Sequence, residues 1–458
     1  MPAARRQVRR SQWQVPRRGR MRRQDLPGPH RGRRRLRGGT ERGHVRMISA
    51  APQRIVIVGG GQGAGASLRH LRARGYDGFT SVICAEDQYP YERPPLSKAF
   101  LNGTASLEAL TLCTPEHPRE RFYLADMASR IDVAEKRVVL RSGTSMAYDK
   151  LLLATGGEAR RLALAGADSA NVHYLRTVHD ARRLRAALAD CQAAQAPVLV
   201  IGGGWIGLEI AAAARQAGLA TTLIEGGPQL CGRSLPAPIA TELLMAHRDR
   251  GVDIRLGCSI ETLHGDGRVT AATLSDGGTI PVGMVVVGIG LIPNAQLAVD
   301  AGLAVGNGIC VDASGRTSNP HVYAIGDVAE FPCMWHGCAV RMETWNNANV
   351  QAVRAVSAML PQAGGPQLAG DAVPWFWSDQ FDFNLQVLGA PLVADGSLVS
   401  TDAEGGALHL YARERRLIGA IGINRARDIR VLKRAVERDP QLTFQRVTDC
   451  LGNLRELL

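Results

Sequence analysis

At 458 residues, with 45% hydrophobic and 21% charged side chains, the chain is too long for one simple core and has the make-up of a soluble globular protein of two to four domains. No run of 18 or more apolar residues occurs, which excludes a membrane-spanning helix. The net charge of +13 does not describe the fold: residues 1–46 hold 16 Arg against Asp25 and Glu41, a local +14, and leave the remainder at −1.

In chain order, the Arg-rich stretch 1–46 lacks apolar periodicity and is expected to be a disordered extension. Three readings compete for it: an organelle-targeting presequence, an arm that binds nucleic acid by charge, or upstream sequence foreign to a chain that starts at Met47. The last is preferred, because the glycine fingerprint that follows normally begins close to an N-terminus. "RIVIVGGGQGAGASLRHLRARG" (54–75) reads as a buried strand, a glycine turn and an amphipathic helix, and "TSVICAE" (80–86) as the next strand. "KLLLATGG" (150–157) is a buried strand running into a tight turn. "APVLVIGGGWIGLEIAAAARQAG" (196–218) and "ATTLIEG" (220–226) repeat the strand–turn–helix–strand pattern, and "MVVVGIGLIPN" (284–294) repeats the form of 150–157. "VYAIGDVAEF" (322–331) is a strand ending in Gly-Asp, and "NNANVQAVRAVSAML" (346–360) is helical. Beyond the linker "PQAGGPQLAG" (361–370) the composition shifts to the aromatic "VPWFWSDQFDFNLQVLG" (373–389) and a hairpin at "ALHLYARERRLIGAIGI" (407–423), with helical patterning to the end. The expected fold class is α/β: two Rossmann-like dinucleotide-binding domains and a small C-terminal α+β domain. The first Rossmann-like unit is split into 47–160 and 286–365 around a second at 161–285, and the C-terminal domain covers 370–458.

Gly202-x-Gly204-x-x-Gly207 follows an apolar strand, opens a helix, and has Glu225 at the end of the next strand. This is the full context of a dinucleotide fingerprint. Gly202 permits the tight turn, Gly204 lets the backbone approach a pyrophosphate, and Gly207 allows close helix–strand packing, with the helix N-terminus supporting the phosphate charge. Glu225 suits a ribose diol and repels a 2′-phosphate, which favours NADH over NADPH. The earlier fingerprint is Gly59-x-Gly61-x-x-Ala64, with Gly63 beside it and Glu86 at the end of its second strand. Two such sites in one chain imply FAD together with an exchanging NADH.

The stretches "PYERPPLSK", "LLLATGG", "YLRT", "GGGWIGLE", "VGIGLIPN", "AIGDVA", "METWNNA" and "PWFWSDQ" together resemble the flavoproteins that bind two dinucleotides, glutathione-reductase-like in fold. Within them, the chain is similar to the FAD-dependent NADH–ferredoxin reductases of oxygenase systems, those of aromatic-ring dioxygenases and of bacterial P450s, from about residue 54 to near 440. "METWNNANVQA" and "LIGAIGINRARDIRVLK" lie nearer the phenylpropionate-type dioxygenase reductases. The resemblance implies FAD contacts at Gly59, Gly61, Gly63, Glu86, Arg93, Lys98, Thr155, Arg176 and Asp327, with Trp345 beside the flavin–nicotinamide stack. For NADH it implies Gly202, Gly204, Gly207, Glu225, Arg233 and Gly290. The chain departs from the family in reading "GQGAG" where "GQAGA" is common, and in carrying Ala85 where some members have an acid.

Hydride transfer from a nicotinamide to a flavin needs orientation and charge more than acid–base help. Lys98 is the expected cation near the flavin, Glu209 its expected counter-charge, and Trp345 the third residue expected to act at the stack. Cys333-x4-Cys338 has the spacing of a flavin-linked redox disulfide, but it follows the late Gly-Asp motif rather than opening a helix near the first flavin strand. With His336 it offers three potential metal ligands in six residues and lacks a fourth, so no metal is expected. The expected function is electron transfer from NADH through FAD to a [2Fe–2S] ferredoxin serving an oxygenase of aromatic hydrocarbon catabolism. The alternatives are the reductase of a P450 system and a thiol–disulfide or peroxide reductase of the same fold. A cytoplasmic monomer or homodimer, with no nucleic-acid or membrane partner, completes the expectation. The irregular set of nine cysteines fits a reducing compartment.

Overall fold

The computed structural model describes residues 53–361 and 372–458; the Arg-rich stretch 1–46 and nearly all of the 361–370 linker lie outside the described residues. Three five-stranded sheets organise the described residues. The first is wholly parallel, in the order Val322–Ala324, Lys150–Leu153, Arg54–Val58, Phe79–Ile83, Glu120–Tyr123. Its central strands are unbroken apolar runs because helices and loops cover both faces, so alternation has no solvent side to report. Ile55, Val56 and Ile57 are each at most 2% exposed, and burial of such side chains contributes roughly 1.5–3 kcal/mol apiece. On one face the helices Gln62–Ala73 and Trp345–Met359 pack together through Leu68, Leu71, Ala352 and Val356.

The second sheet repeats the plan: Val252–Leu256, Thr221–Glu225, Val198–Ile201, Met284–Val287, Val172–Tyr174, again wholly parallel. Met284–Val287 pairs along its whole length with Val198–Ile201, so a boundary at 285 falls inside a strand of this sheet. The first sheet draws its strands from both sides of this insertion.

The third sheet is antiparallel, in the order Trp375–Gln380, Phe383–Gly389, Arg416–Ile423, Ala407–Arg413, Gly396–Thr401. The helix Ala426–Arg438 lays Ile429, Leu432, Ala435 and Val436 on it. At Gly422 a Cβ would come within 2.7 Å of Ile429, so the absent side chain is what lets the helix sit that close. The strand Trp375–Gln380 lies against the helix Trp205–Gln216, and one apolar core runs from Leu208 and Ile210 of that helix into Leu385, Leu408 and Ile421 of the third sheet. Short antiparallel elements at Ala128–Ala147 and Ile260–Pro281, and the hairpin of Ala329–Cys333 with Cys338–Arg341, fill the remaining edges. Among the described residues, no helix is long and apolar enough to cross a membrane.

Candidate active site

A cavity of about 1010 Å³ opens where the three sheets meet. That is at the top of the roughly 300–1,000 Å³ range of small-molecule sites. Every residue that the resemblance implies for FAD lines it: Gly59, Gly61, Gly63, Glu86, Arg93, Lys98, Thr155, Arg176, Asp327 and Trp345. The strand Arg54–Val58 ends at Gly59, whose φ of 137° is accessible to glycine alone and whose Cβ would stand 2.1 Å from the Ala154 carbonyl oxygen. Gly61 then caps the helix Gln62–Ala73, which carries no acid in its first turn, so its positive end is free for an anionic group.

A string of charge-assisted bonds lines the wall from Glu86 to Asp327. Glu86 accepts from Tyr91 Oη at 2.6 Å and from Arg93 Nη2 at 2.8 Å. Arg93 Nη1 donates to the Arg176 carbonyl at 2.6 Å, and Arg176 Nη2 to Asp327 Oδ2 at 2.9 Å. Thr155 Oγ1 donates to the Asn294 carbonyl at 2.8 Å, tying the turn after Lys150–Leu153 to the far strand of the junction.

Lys98 is placed by local sequence. Pro94 and Pro95 occupy the first positions of a one-turn 3₁₀ helix, Pro94–Ser97, where preset φ angles and missing N–H groups cost nothing. Lys98 closes that turn and sends Nζ to Glu209 Oε1 at 2.7 Å, while Ser97 Oγ donates to Glu209 Oε2 at 2.5 Å. Glu209 sits on the helix Trp205–Gln216, 6% exposed. Its third donor is Ser378 Oγ, 2.5 Å from Oε1, from the first strand of the third sheet. Neither serine was singled out by the sequence reading, and nothing in a lone Ser marks it. Trp345 opens the helix capped by Thr344, donates Nε1–H to Glu92 at 3.2 Å, and meets Trp377 edge-on at 5.8 Å; Trp377 stacks on Trp375 at 5.1 Å.

The second fingerprint stands apart from the cavity wall. Gly202, Gly204, Gly207, Glu225 and Gly290 do not line it, and the unit reaches it through Trp205, Ile206, Glu209 and Arg233. Gly202 has φ 105° and Gly290 φ 106°. A Cβ on Gly207 would stand 2.0 Å from the Gly202 carbonyl oxygen, so this glycine sets the helix–strand distance. Gly204 caps the helix Trp205–Gln216, again with no acid in the first turn. Glu225 accepts from Gly203 N and Gly227 N, both at 2.7 Å, which leaves about two of its lone-pair positions open.

Cys333 and Cys338 face one another at the loop end of the hairpin formed by Ala329–Cys333 and Cys338–Arg341. Cys333 Sγ lies 3.4 Å from His336 Nδ1. Cys84, which packs under Gly60 of the first glycine turn, is buried, and that burial pushes its thiol up to about 12. A thiol so raised stays protonated at neutral pH and is a poor nucleophile.

Residues 53–352 match the family described as pyridine nucleotide-disulphide oxidoreductase, and residues 375–458 match the reductase C-terminal family. A ferredoxin–NAD(P)+ reductase of Sphingomonas sp. is 39% identical over 390 residues, 84% of this chain and 92% of its own length. The ferredoxin–NAD(+) reductase component of the p-cumate 2,3-dioxygenase system of Pseudomonas putida is 37% identical, covering 88% of this chain and 98% of itself. Among solved structures, the reductase chain in the covalent putidaredoxin reductase–putidaredoxin complex aligns with a TM-score of 0.82 at 32% identity, covering 89% of this chain and 98% of that one.

Proposed function

Because the chain belongs to the ferredoxin–NAD(P)+ reductases of the pyridine nucleotide-disulphide oxidoreductase family, we propose that it carries electrons from NADH through FAD to a [2Fe–2S] ferredoxin that serves an oxygenase. FAD, when bound, supplies two-electron acceptance from a nicotinamide and one-electron release to an iron–sulfur centre. The residues present fit it. The first glycine turn gives a backbone edge and a helix N-terminus to an anionic group, Glu86 and Asp327 offer acceptors in the turns just past the strands Phe79–Ile83 and Val322–Ala324, and Lys98 presents an ammonium to the same cavity. We assign Gly202, Gly204, Gly207, Glu225, Arg233 and Gly290 to NADH, with Glu225 giving the preference against a 2′-phosphate.

The observation that carries this reading is the Lys98–Glu209 pair at the turn where a disulfide relay would place its thiols. The opposed pair Cys333/Cys338 sits on the late hairpin instead. The partner oxygenase is proposed to be an aromatic-ring dioxygenase of the phenylpropionate type, on the wording of residues 342–352 and 417–433. A cytoplasmic location fits the irregular set of nine cysteines. Anaerobic titration with NADH should bleach the flavin absorbance, and a [2Fe–2S] ferredoxin should restore it. Reduction of a disulfide substrate with no reduction of any such ferredoxin would overturn the reading.

A further inference from the structure

The polar contacts of Glu209 do not end at Ser378. We propose that Ser378, Gln380 and His247 form a positioning relay that fixes the Glu209 carboxylate, and through it the Lys98 ammonium, against the cavity. The inference rests on the oxidoreductase reading above and gives the third sheet a part in the reaction beyond covering the site.

Connectivity sets the direction of every bond. Glu209 accepts from Lys98, Ser97 and Ser378 and, as an ion-paired carboxylate, has no proton to return. Ser378 therefore spends its hydroxyl proton on Glu209 and must accept from its other neighbour, Gln380 Nε2, at 3.0 Å. That turns the Gln380 carbonyl oxygen toward His247 Nε2, at 2.7 Å, so the imidazole carries its proton on Nε2. Each donor points inward, and the chain converges on one carboxylate. Ser378 and Gln380 alternate on one strand and so share a face, which is what brings both to the helix Trp205–Gln216 and to His247 on the helix Ala237–Asp249.

Ser378 and Gln380 are each 1% exposed and His247 is fully buried. A buried polar chain is costly unless each member is satisfied, so apolar packing would be the cheaper way to join these elements. The outer end is closed. Phe381 and Phe383 meet the His247 ring in T-shaped contacts at 5.0 and 6.3 Å, Arg250 lies over both phenylalanine rings and pairs with Asp382, and His247 Nδ1 has no hydrogen-bond partner among the described residues. Burial lowers the imidazole to about 4, so it stays neutral at physiological pH. A chain that stops in an aromatic pocket orients its members and does not conduct protons to solvent.

The test uses the flavin-loaded full chain without ferredoxin, and reads the flavin midpoint potential, the limiting rate of flavin reduction by NADH, and the Kd for NADH. Gln380→Glu keeps the shape but replaces the amide donor by an acceptor, which draws the Ser378 proton away from Glu209. Ser378→Ala removes that proton outright, and Ser378→Thr keeps it. We expect both donor-removing variants to have a more negative potential and a reduction rate lower by about tenfold, the scale of one charge-assisted hydrogen bond, with NADH affinity unchanged. Ser378→Thr should restore both values. A wild-type potential and rate in Ser378→Ala and Gln380→Glu, even with a lowered melting temperature, would overturn the relay. If Gln380→Glu does not fold, equal potentials in Ser378→Ala and Ser378→Thr overturn it alone. Wild-type protein that reduces no ferredoxin would refute the electron acceptor proposed above and leave these potentials untouched.

Discussion

The Lys98 ammonium meets the Glu209 carboxylate at 2.7 Å, and the two ends of the pair are unequal: the Lys98 side chain is 20% exposed to the cavity and that of Glu209 5%. Removing the lysine therefore strands a buried charge, whereas removing the charge on Glu209 leaves an ammonium that can still reach water. Lys98→Met should destabilise the fold by about 2–4 kcal/mol, somewhat below the usual cost of breaking a fully buried pair because one partner is partly solvated. Glu209→Gln keeps an acceptor oxygen for one of the two serines and turns its amide N–H toward the hydroxyl of the other, which can accept it, so it should cost only about 1 kcal/mol. Both should slow flavin reduction by NADH, Lys98→Met the more. Urea denaturation and anaerobic stopped-flow absorbance check the two effects separately.

The last two glycines of the second fingerprint should fail in different ways. At Gly204 the nearest atom to an added Cβ is the Gly288 carbonyl oxygen at 3.9 Å, and the backbone is extended with φ −82°, so the chain itself has room for Ala. Gly204→Ala should keep its melting temperature and raise the KM for NADH by about tenfold, because only a ligand pyrophosphate needs that space. At Gly207 the added Cβ would lie 2.0 Å from the Gly202 carbonyl oxygen, so Gly207→Ala must push helix from strand. It should lose about 1–3 kcal/mol. A thermal melt and an NADH titration of the two variants distinguish ligand space from packing space.

The centres of the parallel sheets were legible because Arg54–Val58, Lys150–Leu153, Val198–Ile201 and Met284–Val287 are mostly apolar runs that lead into glycine turns, and the C-terminal hairpin because Ala407–Arg413 and Arg416–Ile423 flank a two-residue turn; the outer strands Glu120–Tyr123, Val172–Tyr174 and Val252–Leu256, with charged or polar residues among their apolar ones, were not. The antiparallel pieces at 128–147 and 260–281 were not read. Their strands are three to five residues long and half exposed, so neither an apolar run nor a clean alternation marks them. Lys98 and Glu209 were legible through the resemblance, and the structure brings them together. Ser97, Ser378, Gln380 and His247 were not, since their partnership exists only where three sheets meet. Glu225 was legible as a strand-end acid, but not its two bonds to Gly203 N and Gly227 N, which depend on how the glycine turn folds back over that strand.

Cys333→Ser separates the electron-transfer reading from a thiol-based one. The Cys333 thiol contacts His336 and sits on the late hairpin rather than on the turn that carries Lys98, so a serine, which keeps a polar group beside His336, should preserve both the NADH-dependent reduction of a ferredoxin and the bleaching of the flavin. A thiol–disulfide or peroxide reductase using this pair would lose its turnover. Steady-state ferredoxin reduction by the variant is the direct measurement.

Burial of His247 also fixes how stability responds to acid. The folded imidazole titrates near 4, against 6.5 for the unreacted side chain, with desolvation the main cause and the Gln380 bond opposing it. Above pH 6.5 the group is neutral in both states and adds no pH dependence. Between 6.5 and 4 the unfolded chain takes up a proton that the fold refuses, so stability falls by about 1.4 kcal/mol per unit, roughly 3 kcal/mol in all, and the term is flat below 4. His70, His173, His336 and His409 are lowered by burial in the same direction and add to the slope. His247→Gln still offers Gln380 an N–H but does not titrate. Its unfolding free energy, measured in urea from pH 7.5 to 4, should therefore fall less steeply than that of the wild type, by close to one proton over the window 6.5 to 4. Parallel curves for the two proteins would mean that His247 is already protonated in the fold, or is free to meet water.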